Sequence, residues 1–229
     1  MNARRGGAVI ELLGAPGAGK SGLADALAAL DGVVVVKDHT RGDLPSLAWS
    51  MARSLPIVVA PPPDIERRRW AAWAARVTAA GHVAAHRIGE GAKTVVFDQG
   101  PAYTLVRMLQ MCSRQQGNEW WSQRCAETAS LLDLVVLVDA DPDVLAERVR
   151  GRDKIHAADQ LADASLLTYL DTERRACHQV ADALARDGAE VIRVITSDVP
   201  LEVEAETVLA ALQKRDRREE FGGAIGQVG

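Results

Sequence analysis

Aromatic residues are scarce: phenylalanine, tyrosine and tryptophan together make up 4% of the 229 residues. A surface that stacks unpaired bases needs several such rings, so single-stranded nucleic acid is a poor fit as a partner. There is no basic excess either. Twenty-seven Lys and Arg face 31 Asp and Glu, a net charge of −4, which gives no general attraction to nucleic acid or to an anionic membrane. Cysteine is limited to Cys112, Cys125 and Cys177, an odd number with no Cys-x-x-Cys pair. That spacing excludes a disulfide framework or a thiolate zinc site and fits reduced thiols. No run approaches the ~18 apolar residues that span a bilayer. The basic start, Met1 to Arg5, is not followed by an adequate apolar stretch, because Glu11 interrupts it. The expected location is the cytoplasm.

What remains is an ordinary globular composition, 48% apolar and 25% charged, long enough for one sizeable core. Five short apolar runs stand out: Val9–Leu13, Val33–Val36, Thr94–Phe97, Leu134–Val138 and Val191–Ile195. They barely alternate, which suits strands buried on both faces. Helical patterns lie between them, at Ser21–Leu30, Pro45–Leu55, a long Arg- and Ala-rich segment capped by Asp64 and running to Ile88, Pro101–Gln115, Glu119–Leu132, and Pro200–Lys214. Asp141-Pro142 opens another, with aspartate at the cap. Leu166, Leu170, Cys177, Ala181 and Leu184 recur on one face of a further helix that Gly188 closes. Strands alternating with helices predict a doubly wound, five-stranded parallel sheet flanked by helices. One domain is expected over residues 1–215, with a lid at about 148–160. The segment 216–229 is expected to be a flexible tail.

The most informative stretch is Gly14-Ala15-Pro16-Gly17-Ala18-Gly19-Lys20-Ser21, followed by Gly22. It matches G-x-x-x-x-G-K-[ST] between an expected strand and an expected helix. Glycines let the loop turn so that successive N–H groups point at phosphate oxygens, and the helix N-terminus adds partial positive charge. Lys20 is expected on the β- and γ-phosphates and Ser21 on magnesium. ATP and Mg2+ are the expected cofactors.

Ligands of open α/β sheets sit at the carboxyl ends of strands. Asp38 and His39 follow the second run, Asp98 the third and Asp139 the fourth. Asp98, after four apolar residues, is expected to hold the magnesium. Asp38 is the candidate general base for a hydroxyl acceptor, with His39 as its neighbour. Arg148, Arg150, Arg152 and Lys154 cluster around Gly151. They form a candidate lid whose guanidinium groups, Arg148 and Arg152 above all, would meet charge on the transferring group. Arg76, one turn beyond Trp73, and Arg107 are candidate substrate-binding residues. Trp70 and Trp73, at i and i+3, read first as core residues.

The P-loop and the stretch from Val138 to Arg152 resemble the P-loop kinases of nucleotides and small metabolites, thymidylate and deoxynucleoside kinases among them. The likeness runs from Val9 to Val208. The segment from the Arg76 helix through Phe97-Asp98 is similar to that group's substrate helix and third strand. Its members usually carry an arginine directly after the acidic residue of that strand; here Gln99 stands there. The resemblance implies transfer of the γ-phosphoryl of Mg-ATP to a hydroxyl of a small molecule or nucleoside. A nucleoside monophosphate kinase and a regulatory ATPase with no acceptor are the alternatives. Partners are expected to be a small-molecule acceptor, with a homodimer through the Trp-bearing helix allowed for, and neither nucleic acid nor membrane.

Overall fold

Runs of valine, isoleucine and leucine form five strands because β-branched side chains pack well on a pleat covered on both faces. They are β1 (Ala8–Leu13), β2 (Val33–Val36), β3 (Thr94–Asp98), β4 (Leu134–Asp139) and β5 (Val191–Ile195). The structure, a computed structural model, describes residues 6–37, 66–111, 119–152, 160–196 and 200–225. Its helices are α1 (Lys20–Ala28), α2 (Arg67–Gly89), α3 (Pro101–Met111), α4 (Glu119–Leu131), α5 (Pro142–Arg150), α6 (Asp163–Arg186) and α7 (Leu201–Ile225). All the strand pairs are parallel, in the order β2-β3-β1-β4-β5. This is the expected doubly wound sheet.

Two apolar layers sandwich it. Trp70, Val77, Leu105, Met108, Cys177 and Val180, from α2, α3 and α6, cover one face. Leu23, Leu27, Leu145, Leu170 and Val208, from α1, α5, α6 and α7, cover the other. Each fully buried Leu, Ile or Phe contributes about 1.5–3 kcal/mol relative to exposure. Trp70 and Trp73 are 1% and 9% exposed, so both belong to the core of the monomer. Leu166, Leu170, Cys177, Ala181 and Leu184 are all buried on α6, as their spacing predicts.

Two boundaries and one cap differ from expectation. α7 continues to Ile225, past Asp216, where the tail was expected to begin. The stretch after Asp216 lacks an apolar period, but Arg217 to Glu220 are good helix formers that extend a helix already nucleated by packing, and the helix continues through Gly222 and Gly223 against their weak propensity. Asp141 sits at the α5 N-cap in extended conformation with Pro142 behind it, yet its side chain makes no capping hydrogen bond. α2 begins at Arg67 with Glu66 at the cap position. The expected helix Pro45–Leu55, Asp64, the end of the Pro101–Gln115 helix, Cys112 and residues 226–229 lie outside the described residues. Among the described residues, no helix is long and apolar enough to cross a membrane.

β1 is central, with β3 on one side and β4 on the other. The C-terminal ends of these three strands form the crevice where a parallel sheet of this kind takes its ligand.

Candidate functional site

The loop from Gly14 to Gly19 leaves β1 and opens α1. Glycine is required at two of its positions for different reasons. At Gly14 a Cβ would stand 2.2 Å from the Val138 carbonyl oxygen, so β4 comes too close for any side chain. Gly19, the α1 N-cap, has φ +93, a left-handed conformation that side chains resist. The Lys20 ammonium donates to the carbonyls of Gly14 at 2.7 Å and Ala15 at 2.9 Å, and so lies against the loop it follows. Burial lowers its pKa; Cys177, Asp98 and Glu173 oppose that effect, while Arg152 adds to it. These groups therefore surround the lysine closely enough to shape its charge.

Asp98 closes β3 and is 7% exposed. Its Oδ2 accepts from the Ser21 hydroxyl at 3.3 Å. Its Oδ1 is buried with no hydrogen-bond partner. A buried carboxylate oxygen left empty beside a P-loop serine is a costly arrangement unless a ligand completes it. A hard, oxygen-seeking cation fits both oxygens. Among the described residues, no group of three or more His, Cys, Asp or Glu could hold a metal by itself.

The turn after Asp98 is unusual. Gln99 is exposed with φ +69, a region few non-glycine residues adopt. Gly100 and α3 follow. Beneath them lies Glu11, fully buried in β1. Its Oε2 accepts from the Ala102 N–H and its Oε1 from the Tyr103 N–H, both at 2.8 Å. Burial pushes the Glu11 carboxyl up to about 8, while the N–H groups of Tyr103, Ala102 and Gly100 pull it back.

α6 supplies a second buried carboxylate. Glu173 is 1% exposed and accepts from Arg107 Nη1 at 2.9 Å. Tyr169 hydrogen-bonds the same carboxylate, and burial raises its phenol to about 12. One and five residues along from Glu173, Arg174 and His178 hold Asp139 at the end of β4. Arg174 Nε and Nη2 donate to the two carboxylate oxygens at 2.7 and 2.9 Å, and His178 Nε2 lies 3.0 Å from Oδ2. A third tie closes the back of the P-loop. The Thr196 hydroxyl, just after β5, donates to the Ala18 carbonyl at 2.7 Å. Arg148 Nη1 donates to that hydroxyl at 2.7 Å, and Nη2 to the Thr196 carbonyl.

The structure thus brings Lys20, Ser21 and Asp98 together, and Arg152 is among the charges that act on Lys20. Arg148 is anchored to Thr196 behind the P-loop. Arg150 donates to Asp163 at 3.0 Å. Arg107 is paired with Glu173, and Arg76 is half-buried on α2. Asp38, His39 and Lys154 lie outside the described residues. Glu11, Glu173, Arg174 and Thr196 were not anticipated. The signal for Glu173 was present: it falls between Leu170 and Cys177 on the apolar face of α6, where a carboxylate needs a reason. So was that for Glu11, a lone charge inside an apolar strand.

Residues 9–176 match the model of a family described as the AAA domain. No curated protein sequence matches the chain. Among solved structures, a deoxyadenosine kinase from M. mycoides with bound dATP is 13% identical, with a TM-score of 0.53, covering 90% of this chain and 99% of that one. The same kinase with bound dCTP gives 12%, 0.50 and the same coverage. With the products dCMP and dCDP bound it gives 12% and 0.51. At such identity the likeness is one of fold.

Proposed function

Because the chain belongs to the AAA domain family and has the P-loop fold of the solved kinases, we propose that it is a phosphotransferase. It moves the γ-phosphoryl of Mg-ATP to a hydroxyl of a small molecule or nucleoside. The observation that carries this reading is the pair Ser21–Asp98, 3.3 Å apart, with a buried Asp98 oxygen still unsatisfied.

Each residue has a part. The N–H groups of residues 14–21 and the α1 N-terminus cradle the phosphates. Lys20 places its charge on the β- and γ-phosphoryl oxygens. Ser21 and Asp98 hold the magnesium, which when bound neutralises charge between those phosphates. Arg152, whose charge acts on Lys20, meets the charge that develops on the transferring group. Arg148 acts from behind, fixing β5 against the P-loop. Asp38 takes the proton of the attacking hydroxyl. In support, Val36 pairs with Phe97, so the chain leaves β2 at the sheet edge where β3 ends in Asp98. His39, Arg76 and Gln99 are the candidate acceptor-binding residues, while Arg107 is held by Glu173. The deoxyadenosine kinases that share the fold carry bound nucleotides, which favours a nucleoside as the first acceptor to try.

The test is transfer of label from γ-labelled ATP to a panel of hydroxyl compounds. Lys20→Ala is expected to abolish both transfer and ATP-dependent thermal stabilisation. Asp38→Asn is expected to slow transfer by about 10²–10⁴ if the carboxylate is the base. Full activity of Lys20→Ala would sink the site assignment. ATP hydrolysis that no acceptor diverts would leave the chain a nucleotide-dependent ATPase.

A further inference from the structure

The N-terminus of a helix that faces a phosphoryl-transfer crevice is ordinarily an open anion site, because its first N–H groups have no partners and its dipole favours negative charge. α3 begins at such a place, three residues after Asp98, yet its N–H groups are already taken. Ala102 and Tyr103 donate to the two Glu11 oxygens at 2.8 Å. Gly100 acts with them to hold down the pKa of the same carboxyl. Pro101 has no N–H to offer, and the Thr104 N–H donates to the Gly100 carbonyl at 3.1 Å. The helix end is closed from inside the protein.

The fit is tight. A Cβ on residue 100 would stand 2.8 Å from Glu11 Oε2 and 2.6 Å from the Phe97 Cβ, so only glycine lets the turn settle on the glutamate. That turn is the one that carries Asp98 and presents Gln99 at φ +69. Glu11 lies on β1, three residues before the P-loop begins at Gly14. One side chain therefore joins the strand of the donor site to the turn that faces the acceptor. The other cationic group on α3 is also engaged: Arg107 is held by the buried Glu173 at 2.9 Å. Among the described residues of the Asp98–Gly100 turn and α3, a dianionic phosphate monoester would meet a neutral Gln99, a closed helix terminus and a paired arginine; the cation proposed for the acceptor side, Arg76, stands on α2 and not at this end.

We infer that Glu11 is a positioning residue, which fixes the Asp98–Gly100 turn by filling the N-terminus of α3, and that this side of the cleft takes an uncharged hydroxyl acceptor rather than a phosphate monoester. The inference rests on the phosphotransferase reading and narrows it to one class of acceptor.

The experiment uses the full chain with Mg-ATP and matched pairs of acceptors: nucleosides, sugars and polyols, each beside its own phosphate monoester. Transfer to uncharged members, with their monoesters refused, is the expected result. A monoester phosphorylated as well as its uncharged partner overturns the acceptor half while leaving the kinase reading intact. Transfer to no member of either class, with ATP still hydrolysed, counts against the kinase reading itself and takes the acceptor half with it. Glu11→Gln tests the positioning half, since it keeps the shape but turns one acceptor into an NH2 group facing an N–H. The expected result is a kcat lower by about tenfold to a hundredfold, as misplacement of reacting groups produces, with the dissociation constant for ATP within about threefold of the wild type. Unchanged kcat overturns the role, as does an equal loss of kcat and ATP affinity, the pattern of general structural damage. If Glu11→Gln does not fold, Gly100→Ala presses on the same contact and is read by the same two measurements.

Discussion

Arg107 and Glu173 face each other across α3 and α6, 2.9 Å apart, but the two are not equally buried: the arginine side chain is 31% exposed and the glutamate 2%. Removing one partner of such a pair leaves the other behind, and the cost depends on which one is stranded. Arg107→Ala leaves a carboxylate in the interior, and is expected to destabilise by about 2–3 kcal/mol after allowing for the partly solvated arginine. Glu173→Gln keeps the volume and leaves a guanidinium that can reach water, so it is expected to cost about 1 kcal/mol. Denaturant unfolding of both variants checks the order. A larger loss for Glu173→Gln would mean that Tyr169, not Arg107, is the carboxylate's main partner.

The sheet was legible because its strands are buried on both faces, and such strands write themselves as unbroken valine-rich runs. The phosphate loop was legible because glycine, lysine and serine are each needed at fixed spacing for separate reasons. Glu11 and Glu173 were not, since a charge inside an apolar element signals only that a partner exists, and the partners lie 91 and 66 residues away in sequence. Arg148 shows the opposite error. Clustered arginines near a glycine suggest a lid, yet Arg148 stands on α5 while Arg152 lies past the helix end at Gly151, so the two are not held on one face. Arg148 thus points at Thr196 while the charge of Arg152 acts on Lys20.

Thr196 links three elements: its hydroxyl donates to Ala18 in the P-loop and accepts from Arg148 on α5. Thr196→Val removes both bonds while keeping the shape, leaving the Ala18 carbonyl short of a donor. The expected loss is about 1–3 kcal/mol of stability, with weakened ATP binding, since the proposed function assigns the phosphates to the loop backbone. Arg148→Lys should mimic it in part, as a lysine cannot serve the hydroxyl and the carbonyl with one planar fork. Calorimetric titration with ATP and a thermal melt decide the point. An Arg148→Lys variant with wild-type stability and binding but slow transfer would restore Arg148 to the transition state.

Asp139 and Glu11 should shape the pH dependence of stability with opposite signs. Burial works to raise the Asp139 pKa, but the hydrogen bonds and charges of Arg174 and His178 prevail and hold it below 3.8. Between its folded pKa and 3.8 the unfolded chain binds the proton and the native one does not, so stability rises with pH there. Its contribution is present above 3.8 and is lost as pH falls through the folded pKa. Glu11 moves from 4.5 to about 8, so its contribution is full below 4.5 and is lost as pH rises toward 8. Denaturation across pH 3 to 9 is expected to show Asp139→Asn flattening the acid limb and Glu11→Gln flattening the decline on the alkaline side. A Glu11→Gln profile parallel to the wild type would contradict the burial argument.

Burial raises the Cys177 thiol to about 12, although the Lys20 charge and the Gly14 backbone at the P-loop act to lower it. Cys125 is raised to about 12 for the same first reason. At pH 8 a thiol with that pKa is thiolate to only about one part in 10⁴, and it is shielded as well. In a Cys112→Ser background, a thiol reagent is therefore expected to leave the native protein almost unmodified and to label both sites on unfolding. Labelling of Cys177 then requires the P-loop to part from α6, an opening that bound ATP should oppose because the ligand holds only the closed form. Peptide mapping with and without Mg-ATP is expected to show Cys177 slowed by the nucleotide by a larger factor than Cys125, whose neighbours lie on α3, α4 and α6 away from the loop. Equal slowing at both sites would mean that the reagent enters only by global unfolding. No slowing at Cys177 would place the nucleotide somewhere other than residues 14–21.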